Sequence, residues 1–224
     1  MTAAFEQRVA LVTVAGRGIG QATGLQLASG GTHVALLARS IDQLEETAEA
    51  VRAKGGPAVV FSADLAETGS PIDAATRTVK ELGSIDNLVN NAATVEPAGP
   101  TLSGAPASWS TALEVNVNAP VQLTLAVLPS MLERGWGRIV NVSSGKRPAS
   151  GAMVGLNAYA ATKAALEAHT LDLAAELAVA ASPSTSTDLP QSIPPRRNGS
   201  AANRQKRSAP SFTITSKPPT SRAR

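Results

Sequence analysis

The 224-residue chain has no cysteine, so it holds neither a disulfide nor a thiolate-bound metal. This fits a reducing, cytoplasmic setting. Aromatic residues make up only 3% of it, with a single tyrosine, Tyr159. Long apolar runs are also missing. Met1 to Arg8 shows no basic region followed by an apolar stretch, and the apolar residues from Val9 onward are cut by Gly16, Arg17 and Gly18. Neither a signal peptide nor a transmembrane helix is expected, and no membrane partner. Positive charge is scarce outside the tail. Residues 1–181 carry 12 Lys/Arg against 16 Asp/Glu, whereas residues 182–224 carry 8 against 1. The basic pI near 9.6 therefore belongs to the tail. An acidic globular part with a basic tail gives no reason to expect a nucleic-acid-binding domain.

What is present is a regular alternation. Val9–Val14 is a β-branched run that ends in a glycine-rich turn, and Ile19–Ser29 then carries helical spacing. The pattern repeats: strands at His33–Ala38, Ala58–Phe61, Asn87–Asn90 and Arg138–Val142; helices at Ile41–Lys54, Ile72–Leu82, Ser108–Arg134 and Ala158–Ala180. Apolar strands alternating with helices predict an α/β fold, a Rossmann-like doubly wound parallel sheet in a three-layer αβα arrangement. Residues 1–180 are the expected dinucleotide-binding domain. Residues 181–224 hold 7 of the 15 prolines, many Ser and Thr, and no window of period 2 or 3.6. They read as a disordered basic tail, with the last strands of such a sheet missing.

Two places carry chemistry. The loop Thr13-Val14-Ala15-Gly16-Arg17-Gly18-Ile19-Gly20 joins the first strand to the first helix, where backbone N–H groups and the helix dipole can approach a pyrophosphate. Glycines also close ordinary turns, so the loop gains meaning from its place in the alternation. The second strand ends in Arg39, where an acidic residue would hold a ribose 2′-hydroxyl and a basic one suits a 2′-phosphate. With Arg17 it favours NADP over NAD, unless both are merely solvated. The second place is Tyr159, with Lys163 four residues on along a helix. A free phenol titrates near pH ~10, and a fixed ammonium one turn away favours the phenolate.

These motifs, with Asp64-Leu65 after the third strand, Asn90-Asn91-Ala92-Ala93 after the fourth, Asn116 in the long helix and Asn141-Val142-Ser143-Ser144 after the fifth, resemble the short-chain dehydrogenase/reductase family. The resemblance spans about residues 8–177. It implies that Tyr159 is the general acid/base acting on the substrate oxygen. Lys163 then tunes that phenol and holds the nicotinamide ribose, Ser144 bonds the substrate carbonyl, and Asn116 holds a water linking Lys163 to solvent. It further implies a cofactor cleft made by Thr13, Gly16, Arg17, Gly18, Ile19, Gly20 and Arg39, by Asp64 and Leu65, and by Asn91, Ala92 and Ala93. A small carbonyl or alcohol substrate and a homodimer or homotetramer through helices 108–134 and 158–180 follow from the same likeness. Taken singly, Ser143 and Ser144 can cap a turn, Asn116 can be a polar point on a buried helix, and Asp64 can begin one. His33, His169, Trp109 and Trp136 are read as structural, and no metal is expected.

The chain departs from that family at several points. Val14 stands where the family has the first glycine of its loop, and a β-branched residue there is strained if the backbone needs φ > 0. Ala93 replaces a glycine. Ser144 lies two residues further from Tyr159 than is common. Beyond Ala181 the family's sixth strand, Pro-Gly turn, lid and seventh strand are not visible. A shifted codon reading of residues 181–194 offers a string resembling that sixth strand and turn, which suggests a frame change near Ala178. Without a sixth strand, Ile139–Val142 is expected to be an exposed edge. The readings that follow are an NADP-dependent carbonyl reductase or alcohol dehydrogenase, an inactive remnant of one, or a basic-tail adaptor for acidic partners or RNA.

Overall fold

The computed structural model describes residues 7–144, 154–180 and 212–217. Strand β1 (Val9–Thr13) is buried throughout. Val9 and Leu11 join one apolar cluster, and Ala10 and Val12 join the cluster on the opposite face. A strand covered on both faces needs no polar alternation, which is why its sequence is almost purely aliphatic. It pairs in parallel with β2 (His33–Ala38) on one side and β4 (Asn87–Asn90) on the other. The order β3-β2-β1-β4-β5 is completed by β3 (Ala58–Ser62) and β5 (Gly137–Val142).

Helices α1 (Gly18–Ser29) and α2 (Ile41–Arg52) cover one face, where Leu44, Ala48 and Val51 meet Val34 and Leu36. On the other, α3 (Ser70–Leu82) and α5 (Ala119–Glu133) bring Ala74, Ala75, Leu123 and Met131 onto Leu37, Leu88 and Ile139. Helix α6 (Asn157–Ala180) packs against α4 (Pro106–Leu113) and β5. The Rossmann-like architecture is the one expected, with element boundaries within two residues of those read from the pattern. Trp136 is a packing residue, with the Arg8 guanidinium 3.7 Å from its ring centroid, at the end of the sheet where the strands begin.

Two features were not legible. The long helix Pro106–Glu133 is interrupted by a π turn at Glu114–Asn118. By length and composition this helix could cross a membrane, but Ala119, Leu123, Val127 and Met131 form the face that packs on the sheet. The second feature corrects an expectation. Phe212–Lys217 forms a sixth strand, β6, parallel to β5 in the register Gly137↔Phe212 to Val142↔Lys217. Ile139–Asn141 is thus paired on both sides, with β4 and with β6, and is not the sheet edge. Phe-Thr-Ile-Thr-Ser-Lys is rich in residues that favour strands, but six residues are too few to establish a period. Residues 145–153 and the remainder of 181–224 lie outside the described residues. β6 overturns the disordered-tail expectation at 212–217, while the rest of that expectation and the frame-change and lid expectations fall outside the described residues.

Candidate active site

The strand order reverses between β1 and β4, and parallel sheets bind ligands in the crevice at the carboxyl ends of their strands at such a point. A cleft of about 400 Å³ lies there. Val14 and Arg17 enter it after β1, Arg39 and Ser40 after β2, Asp64 and Leu65 after β3, and Ala92, Ala93 and Thr94 after β4. Arg17 is the N-cap of α1 and its side chain makes no hydrogen bond to the first turn of the helix. Gly18 has φ 59°, and a Cβ there would meet nothing within 4 Å, so the space beside it is open. Arg39 is 79% exposed, 3.9 Å from Asp64, so its guanidinium can turn toward an incoming anion.

Thr13 and Asn91 bond to one another's strand ends. The Thr13 hydroxyl accepts from the N–H groups of Asn91 and Ala92, each at 2.9 Å, and donates to the Val89 carbonyl. The Asn91 amide donates to the Thr13 carbonyl at 3.0 Å. The pair locks the end of β1 to the end of β4, at the point where the cleft opens. Gly16 faces α2, where a Cβ would lie 2.8 Å from that of Gln43, while Gly20 packs on the Val14 carbonyl and Asn91. Ile19 is half-exposed beside them.

The second group gathers at the end of β5. Lys163 is buried, and its Nζ donates to the Val142 carbonyl at 2.6 Å. Burial disfavours the ammonium and lowers its pKa from 10.5 to about 8. The same Nζ lies 5.8 Å from the centroid of the half-buried Tyr159 ring. Ser144 follows Val142 by two residues and sits at the same end of the strand. Asn116 occupies the π turn and is fully buried. Its Oδ1 accepts from the Thr94 N–H at 2.8 Å, and its Nδ2 donates to the Thr94 carbonyl and to Thr162 Oγ1, both at 2.9 Å. Thr162 Oγ1 donates in turn to the Tyr159 carbonyl. Asn116 therefore ties the loop after β4 to the turn of α6 that carries Tyr159. Behind them, Asn90 donates to Asn141 and Asn141 to Thr170, joining β4, β5 and α6.

Thr94 and Thr162 escape a reading of the sequence because their role is to bond other residues, and no spacing marks it. Ser40, Gln43, Thr111 and Val115 of the cleft are likewise visible only once the strand ends converge. Among the described residues no cluster of His, Asp and Glu could hold a metal ion.

Fold and cleft together define a Rossmann-like α/β protein with a crevice suited to a dinucleotide. The first turn of α1, the space beside Gly18 and the two arginines fit such a cofactor, and Val14, with φ 52°, lines the same cleft. Residues 8–181 match the family model described as short chain dehydrogenase. A short chain dehydrogenase of Pseudocercospora fijiensis is 38% identical over 176 residues, which are 77% of this chain and 56% of that protein. The chain thus spans little more than half the length of that curated relative. A metagenomic short-chain oxidoreductase in complex with NADP superposes with a TM-score of 0.73 at 34% identity, covering 78% of each chain. An NAD+-bound xylitol dehydrogenase superposes at 0.72 and 33%, covering 79% of this chain and 67% of its own. The chain belongs to the short-chain dehydrogenase family, whose members are oxidoreductases of alcohol and carbonyl groups.

Proposed function

We propose that the chain is an NADP-dependent carbonyl reductase or alcohol dehydrogenase in which Tyr159 is the general acid/base. The observation that carries this is the buried Lys163, anchored on Val142 at the end of β5 with its ammonium beside the Tyr159 ring. Arg17 and Arg39 would hold the 2′-phosphate of such a coenzyme, the first turn of α1 its pyrophosphate, and Asp64 and Ala92 would lie beside its adenosine. The nicotinamide, when bound, supplies or accepts the hydride. In the reducing direction Tyr159 gives its phenolic proton to the carbonyl oxygen as charge develops there, and the Ser144 hydroxyl donates to the same oxygen. Lys163 favours the phenolate left behind and bonds the ribose. Asn116 positions Tyr159 through Thr162, whose Oγ1 accepts from Asn116 and donates to the Tyr159 carbonyl.

The NADP-bound relative at 34% identity supports the coenzyme preference, although the xylitol dehydrogenase carries NAD+. Assembly as a dimer through the long helix and α6 is part of the same reading. Its support is the set of exposed leucines they present, Leu125 and Leu132 on one and Leu171 on the other. Turnover of NADPH with a panel of aldehydes and ketones tests the chemistry. Tyr159→Phe is expected to lower kcat by roughly a hundredfold or more and to leave NADPH affinity within a few-fold. Undiminished turnover in this variant would remove the phenol from the mechanism.

A further inference from the structure

Val14 has φ 52°, in the left-handed region. A β-branched residue there presses its Cβ toward the following carbonyl oxygen, a conformation glycine adopts freely. The loop has no room to relax. The Thr13 carbonyl before it is held by Asn91 at 3.0 Å, and the Ala15 N–H after it donates to the Leu37 carbonyl at 3.1 Å. The Val14 carbonyl itself lies against Gly20, so closely that a Cβ on Gly20 would be 2.2 Å from it. With the backbone fixed on every side, the isopropyl group stays in the wall of the cleft, between the core and the space bounded by Arg17, Asp64 and Ala92.

We infer that Val14 sets how tightly the cleft retains its dinucleotide. Its side chain takes up cleft volume beside the helix terminus that receives the phosphates, and the pinned loop keeps it from swinging out. The effect falls on dissociation, because the approach to the cleft past Arg17 and Arg39 is unchanged. This rests on the nucleotide-binding reading above and adds the residue that limits affinity.

The test uses the full chain and its Val14→Ala and Val14→Gly variants, titrated with NADPH by fluorescence, with dissociation rates from stopped flow and thermal melts without nucleotide. Alanine removes bulk and keeps the strained φ, while glycine removes both. Both variants are expected to bind roughly tenfold more tightly or better, through slower dissociation, and only Val14→Gly to melt at a clearly higher temperature. Saturable binding by the unaltered chain that neither substitution changes overturns the inference and leaves the nucleotide reading standing. No saturable binding by any of the three overturns both.

Discussion

Lys163 makes the most consequential single-residue statement in the molecule, because its environment works against its charge. Its pKa falls to about 8 in the fold, through burial, against 10.5 for an ordinary lysine. Below pH 8 both states of the chain carry the proton and the full cost of the buried ammonium is present, about 3 kcal/mol. Between pH 8 and 10.5 the unfolded chain binds more protons than the folded one, so stability rises with pH across that window. Denaturant unfolding of the unaltered chain and of Lys163→Met, compared over this range, is expected to show that rise only in the former. Equal slopes would mean that the amine is not buried. Tyr159 and Lys163 stood out by type and spacing, and the fold sets Lys163 Nζ 5.8 Å from the Tyr159 ring centroid; Arg39 stood out by its place after β2 and lines the cleft. Thr94 and Thr162 did not, since a threonine that holds Asn116 looks like any other until the loop and helix meet.

At the scale of elements, the π turn at Glu114–Asn118 matters most. Single-turn π segments recur at functional sites because they re-aim a side chain that regular helical spacing would place elsewhere. Here the turn carries Asn116, whose amide binds Thr94 on the loop after β4 and Thr162 on α6. Asn116→Ala leaves the Thr94 N–H and carbonyl without that partner. It is expected to cost about 2 to 4 kcal/mol in urea unfolding, with a larger fall in kcat than in NADPH affinity. A loss below about half a kcal/mol would show that these bonds are made equally well by water. Strand and helix positions followed from apolar period and glycine punctuation, and they held closely. The π turn did not, because an extra residue in five is invisible within a 28-residue helical run. Strand β6 was missed for a related reason, being six residues embedded in a proline- and serine-rich segment.

For the whole molecule, the parallel sheet and the crevice at its switch point were readable, because alternating elements leave few ways to cover both faces of a sheet. Less readable was what closes the sheet beyond β5. With β6 paired along Gly137–Val142, removal of residues 205–224 leaves N–H and C=O groups of β5 unpaired. Such edges recruit other chains. The truncated protein is expected to self-associate more than the full chain in light scattering at equal concentration, and unchanged scattering would show that β6 does not guard that edge. The central claim is that the crevice between β1 and β4 holds an NADP-type coenzyme against Tyr159. Titration of the full chain with NADPH and, in parallel, NADH, followed by coenzyme fluorescence, tests it most directly. Saturable binding at one site per chain, roughly tenfold tighter for NADPH, is the predicted result; no saturation with either nucleotide would contradict it.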